Sequence, residues 1–283
     1  MTSLLKFADS DYEYKDSRYV IFGVPFDGTT SFRPGSRFAP NSIRIASKNL
    51  ESFVYENRVN MREKGINDLG DLEEFGNVDD VIKEVKFTID KIMDDGKFPI
   101  MLGGEHSITA GAALSIKDRD YSIIFIDAHS DFRDEYLGVK YSHACVARRA
   151  FEILGENRVF SIGVRSVSME EYNSEDFKKY IHFPSYIVHS VGMENVLDNL
   201  EKYLGNNKIY LSIDMDGIDP SYAPGVATPE PFGISPWDLK YLIEKFSKKI
   251  VGADIVEISP PYDNGNTSML GARLIQEIIS RTQ

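Results

Sequence analysis

The stretch Ser122-Ile123-Ile124-Phe125-Ile126-Asp127-Ala128-His129-Ser130-Asp131 joins an unbroken apolar run to a terminus rich in acid and histidine. Apolar residues without polar alternation fit a parallel strand covered on both faces, not a strand with one wet face. Comparable runs recur at Tyr19 to Val24, Pro99 to Leu102, Val159 to Val164, Tyr186 to His189, Ile209 to Ile213 and Val251 to Ile258. Helix-periodic segments alternate with them: Pro40 to Leu50, Asp79 to Asp95, Ser107 to Ile116, His143 to Leu154, Glu194 to Leu204, Pro236 to Lys249 and Ser268 to Ser280. No Ser/Gly/Pro-rich linker, repeat or low-complexity tract interrupts the alternation. The pattern predicts one domain over residues 1–283, of α/β class, with three layers around a parallel sheet. Ligands of such sheets bind beyond the carboxyl ends of the strands, so chemistry is expected just after each apolar run.

Composition narrows the function classes. With 42% apolar residues the chain can bury a sizeable core, which excludes intrinsic disorder. Lys and Arg number 32 against 44 Asp and Glu, a net charge of -12, which disfavours nucleic acid and anionic membrane surfaces and suits a small cation. The single cysteine, Cys145, permits no intrachain disulfide and no all-cysteine zinc site, in keeping with a reducing cytoplasm, and it reads as a small core residue. Met1 to Asp16 carries four acids around a two-leucine stretch, and no uncharged apolar run approaches the roughly 18 residues of a membrane span. Neither secretion nor membrane insertion is expected. Three of the five histidines, His106, His129 and His143, fall in one acidic, glycine-punctuated region.

Asp127, His129 and Asp131 recur at every second residue, which in extended backbone puts them on one side. The run Ile209 to Ile213 ends in Asp214-Met215-Asp216, and Pro99 to Leu102 ends in Gly103-Gly104-Glu105-His106, where two glycines allow a sharp turn. Each group alone is compatible with turn and cap chemistry. Their joint appearance after three buried strands points to a metal site made of His106, Asp127, His129, Asp131, Asp214 and Asp216. Two nitrogens, four carboxylates and no thiolate suit Mn²⁺ or Mg²⁺ better than structural zinc. Four aspartates balance two divalent ions, and two such ions sharing carboxylates lower the pKa of a water between them. Glu257 interrupts the last apolar run, where a carboxylate needs a partner, either an internal arginine or a bound guanidinium.

These residues resemble the ureohydrolases, the arginase and agmatinase family of binuclear manganese hydrolases. The resemblance covers most of the chain, through Gly23-Val24-Pro25-Phe26-Asp27, Arg33-Pro34-Gly35-Ser36-Arg37 with Pro40 and Arg44, Gly103 to Ser107, Asp127 to Asp131, Ser212 to Pro220, Ala223-Pro224-Gly225, Thr228 to Pro231, and Glu257-Ile258-Ser259-Pro260. It implies two Mn²⁺ per chain, one held by His106 and Asp131, the other by His129 and Asp216, with Asp127 and Asp214 bridging. It also implies that Asp131 hydrogen-bonds the bridging hydroxide that attacks the guanidinium carbon, that Glu257 binds the guanidinium, and that His143 shuttles the proton to the departing amine. A sheet of about eight strands and a trimeric or hexameric homo-oligomer belong to the same expectation.

The resemblance is closest to agmatinases, which convert agmatine to putrescine and urea. Arginases usually carry an asparagine two residues after the Asp131 equivalent to bind the amino-acid end of arginine, and this chain has Arg133. Arg133 itself suits a carboxylate such as that of 4-guanidinobutyrate, unless Asp134 or Glu135 neutralises it. Arginase and guanidinobutyrase activities therefore stay open, as do a catalytically silent metal-binding homologue and a single-zinc deacetylase relative. Phe232 stands where family members usually have glycine, and Trp237, at a helix start, reads as a packing residue.

Overall fold

A computed structural model of the chain describes residues 5–73 and 76–282, so Met1 to Leu4 of the acidic stretch Met1 to Asp16 lie outside the described residues. Eight strands of the described residues form one parallel sheet. They are β1 (Tyr19–Gly23), β2 (Ile66–Asp71), β3 (Phe98–Leu102), β4 (Tyr121–Ile126), β5 (Val159–Ile162), β6 (Ile181–Phe183), β7 (Lys208–Asp214) and β8 (Ile250–Val256). Their order across the sheet is β2-β1-β3-β8-β7-β4-β5-β6, with every neighbouring pair parallel. A short antiparallel pair, Phe53–Val54 with Val59–Asn60, stands apart.

One face of the sheet is covered by α1 (Ala39–Ser47), α6 (Ser185–Val191), α7 (Met193–Leu204), α8 (Pro236–Phe246) and α9 (Asn266–Arg281), the other by α2 (Val78–Asp94), α3 (Thr109–Ser115) and α4 (Val146–Leu154). A short α5 (Met169–Asn173) opens with a Ser168–Glu171 capping box near the carboxyl edge. The unbroken apolar strands follow from this sandwich. Along β4, Ile124 and Ile126 enter one core while Ile123 and Phe125 enter the other. Each such buried side chain contributes about 1.5–3 kcal/mol relative to exposure, which leaves no polar face to encode.

The helices lie within a few residues of their expected spans, but two strands do not. Tyr186 to His189 belongs to α6, not to a strand. Ser185 and Val188 are buried while Tyr186 is 66% exposed, a period of three, and Pro184 stands at the N-cap. The edge strand β6 comes just before it. Strand β2 escaped the apolar-run reading because its sequence, Ile-Asn-Asp-Leu-Gly-Asp, carries two acids. Both pair with Arg44 of α1, so the charge is compensated inside the fold. Trp237 is also unlike its expectation. It is 71% exposed, with the Lys240 ammonium 4.7 Å from its ring centroid, so it packs against a cation and not in the core.

Candidate active site

The four central strands β3, β8, β7 and β4 lead directly into the chemistry. His106 follows β3, Glu257 follows β8, Asp214 and Asp216 close β7, and Asp127, His129 and Asp131 follow β4. All of them except Asp127 line one cavity of about 180 Å³, together with His143, Arg133 and Tyr136, and the buried Asp127 lies 3.2 Å from His106. Gly104 makes the β3 turn possible, because a Cβ there would fall 1.8 Å from the carbonyl oxygen of Phe26.

Two groups of side chains in this cavity could hold a cation. His106, Asp127 and Asp214 form one, and Asp127, His129 and Asp216 the other, so Asp127 belongs to both and Asp214 to the first. Asp131 stands beside the first group, its Oδ2 lying 3.3 Å from Nδ1 of His106. Asp131 itself has φ +46°, so the backbone leaves the extended form at that residue. Glu257 is displaced from its expected place. It is not inside β8 but just past its end, at φ +62°, where its Oε1 accepts the backbone N–H of His106 at 2.7 Å.

The donor set fits a divalent cation. The buried Nδ1 of His106 has no hydrogen-bond partner among the described residues, yet oxygens of Asp127, Asp131 and Asp214 surround it at 3.2–3.3 Å. The far side of the ring explains its orientation. Nε2 lies 3.0 Å from Ser212 Oγ, and that hydroxyl donates at 2.6 Å to the buried carboxylate of Asp254. With its proton committed to Asp254, Ser212 accepts from Nε2–H, which makes Nδ1 the nitrogen that faces the carboxylates and holds a cation or, without one, a proton. Nδ1 of His129 meets Asp216 Oδ2 at 3.0 Å in the second group.

Electrostatics describe a crowded acidic centre. Burial, then the charge of Asp131, pushes the Asp127 carboxyl up to about 7. Burial, then Asp216 and Asp127, holds Asp214 well above the carboxylate range. Asp216 goes the other way: burial opposes its charge, but His129 and surrounding donors outweigh it and lower the pKa. Burial likewise opposes charge on His106, and its three carboxylate neighbours outweigh that and raise it well above the usual histidine value. Glu257 is raised by burial and then by Glu105, so a cation brought beside it would be favoured.

Three contributors carry no signal in the sequence pattern. Ser212 and Asp254 sit inside strands and read there as polar interruptions. Arg165 donates to the backbone carbonyls of Gly163, Asp216, Gly217, Glu230 and Pro231, tying the loop after β5 to the Asp216 segment. Only spatial neighbours reveal these roles. The reading of Cys145 as a small core residue agrees with its surroundings. Cys145 is buried and its thiol is pushed up to about 12 by burial.

A three-layer parallel sheet with paired aspartate and histidine groups and a glutamate at its carboxyl edge defines a hydrolase of the ureohydrolase class, and comparison with known proteins agrees. The arginase family model matches residues 17–280, and the chain belongs to that family. A solved structure of agmatine ureohydrolase from Thermoplasma volcanium is similar at 50% identity, covering 99% of this chain and 95% of that one, with a TM-score of 0.95. An agmatinase of Pyrococcus horikoshii is 36% identical over 94% of this chain and 93% of its own. A guanidinobutyrase of Pseudomonas aeruginosa is 33% identical over 93% of this chain and 85% of its own.

Proposed function

We propose that this chain is a single-domain binuclear manganese ureohydrolase that cleaves agmatine to putrescine and urea. The observation that carries the reading is the unpartnered Nδ1 of His106 facing three carboxylates in the cavity that Glu257 also lines. The first cation would be held by His106 and Asp131, the second by His129 and Asp216, with Asp127 and Asp214 shared. When bound, two such ions supply Lewis-acid polarisation and a water acidic enough to ionise near neutral pH.

The chain's own groups do the rest. Glu257 accepts hydrogen bonds from the substrate guanidinium and orients its carbon towards the attacking water, whose remaining proton is directed to Asp131. Addition of water to that carbon is followed by cleavage of the C–N bond to the alkyl chain. His143 delivers the proton that the departing nitrogen needs to leave as a neutral amine. Charge neutralisation of the four aspartates by the cations leaves Glu257 as the anionic contact for the substrate.

A second substrate reading rests on Arg133. Its guanidinium lies 5.3 Å from the Tyr136 ring centroid in the cavity wall, makes no ion pair among the described residues, and is not neutralised by Asp134, which pairs with Arg149. A carboxylate at the distal end, as in 4-guanidinobutyrate, would complement it. The 50% identity to an agmatine ureohydrolase favours agmatine. A panel of agmatine, arginine and 4-guanidinobutyrate at equal concentration with Mn²⁺ tests the choice, and urea from none of the three would refute the substrate class. Asp127→Ala should lose bound metal and activity together. We further infer a cytoplasmic homo-oligomer, trimeric or hexameric. No helix of the described residues is long and apolar enough to cross a membrane.

A further inference from the structure

We propose that Thr29 is a positioning residue that fixes the tautomer of His143, leaving Nε2 as its working nitrogen. The proposal rests on the reading of His143 as the proton-transfer group.

The loop after β1 brings Thr29 between two side chains from other strands. Its Oγ1 donates to Glu105 Oε1 at 2.6 Å, accepts the backbone N–H of His143 at 3.0 Å, and stands 3.1 Å from His143 Nδ1. Glu105 is fully buried, and its carboxylate also receives the Thr29 backbone N–H at 2.8 Å, the Thr30 hydroxyl at 3.1 Å and the Ser107 hydroxyl at 2.6 Å.

A hydroxyl has one proton to give. Glu105 is an acceptor at both oxygens, so the Thr29 proton is committed to it and Oγ1 can only accept from the imidazole. A bare Nδ1 would set lone pair against lone pair at 3.1 Å. Nδ1 therefore carries the proton of neutral His143, and Nε2 keeps its lone pair for the cavity. Ser142 Oγ stands farther off, 3.3 Å from Nδ1, and its proton can turn towards or away from the ring, so the nearer Thr29 oxygen decides the tautomer. The Tyr136 ring meets the imidazole edge-on, with centroids 5.7 Å apart, and limits its rotation. A proton gained by His143 must then reside on Nε2, where the departing amine can take it.

The test uses the full chain, labelled with ¹⁵N-histidine and loaded with diamagnetic Mg²⁺, at about pH 9, where histidine is ordinarily neutral. His143→Ala assigns the signal among the five histidines. Long-range ¹H–¹⁵N correlation should find the proton on Nδ1 in the parent, on Nε2 or on both in Thr29→Val, and on Nδ1 again in Thr29→Ser. With agmatine and Mn²⁺, Thr29→Val should lose about tenfold or more in kcat at unchanged KM, and Thr29→Ser should recover it. A proton on Nε2 in the parent would overturn the proposal. So would a Thr29→Val protein with the parent tautomer and kcat. The expected tautomers in a protein that hydrolyses no guanidine would sustain the positioning role and sink the catalytic reading instead.

Discussion

Arg44 and Asp68 form a two-pronged ion pair with no solvent exposure of either side chain, Nε to Oδ2 at 2.8 Å and Nη2 to Oδ1 at 2.9 Å. Asp71 approaches the same guanidinium from the end of β2, so one side chain of α1 holds down an edge strand of the sheet. Arg44→Met would leave two carboxylates buried without a cation and should destabilise by about 3–5 kcal/mol. Urea unfolding would measure it; a loss below about 1 kcal/mol would mean that water reaches the pair.

His143 lines the same cavity but belongs to neither group of aspartate and histidine. Replacing it with alanine should lower kcat by about 10²- to 10⁴-fold, the usual worth of a positioned proton-transfer group. Metal content, measured by emission spectroscopy on the same preparation, should not change.

Ser212 links His106 to Asp254 and sets which nitrogen of the ring faces the carboxylates. Ser212→Ala should reduce metal affinity about 10- to 100-fold with the fold intact, in line with the worth of such outer hydrogen bonds. Competition with a chelating dye reads the affinity directly. An unchanged value would show that packing alone orients the ring.

The acidity of the centre makes metal binding depend on pH. Asp127 has its carboxyl pushed up to about 7 by burial and by Asp131, and a cation must displace that proton. Affinity should therefore rise with pH through about 7 and continue to rise beyond it, because the proton on His106, held well above the usual histidine value by its carboxylate neighbours, must leave as well. The metal-free protein should behave oppositely. From the ordinary value near 4 up to about 7 the folded state holds this proton and the unfolded state does not, so this group's contribution to stability falls as pH rises. Melting curves at successive pH values should show the gap between loaded and metal-free protein widening towards alkaline pH. Asp127→Asn should flatten the metal-free decline.

Phe232 adopts φ +68° and is 80% exposed, so its side chain gains little contact in return for a backbone form that L residues adopt at a cost of about 1–2 kcal/mol. Phe232→Gly should raise the melting temperature by a few degrees or leave it unchanged. A clear drop would reveal a contact of the aromatic ring in the assembled protein.

Much of this arrangement can be read along the chain because parallel strands buried on both faces have an unmistakable composition. Ile123 to Ile126 announces both a strand and the sandwich around it, and the residues that follow such runs lie, by construction, at one edge. The edges of the sheet are less legible. Strand β2 hides behind Asp68 and Asp71, whose compensation by Arg44 is not local, and β6 hides beside Tyr186 to His189, whose composition suits a strand although its burial follows a helix. In the site, the spacing of Asp127, His129 and Asp131 suggests proximity for a reason only partly right, since the backbone leaves the extended form at Asp131, which stands beside His106. Ser212, Asp254, Thr29 and Glu105 act through partners 42 to 114 positions away, and no local pattern records such pairings.

The place of β8 in the sheet has a consequence for how the protein is made. The last strand in chain order lies between β3 and β7, so it is the seam joining β2-β1-β3 to β7-β4-β5-β6. Strands β3 and β7 each hydrogen-bond to β8 and not to each other, so until residues 250–256 are inserted no backbone ladder sets His106 beside Asp214. A nascent chain still lacking its final thirty or so residues thus carries every aspartate and histidine of the centre without the centre itself. A cation that needs both groups would then be captured late in folding, when the seam closes.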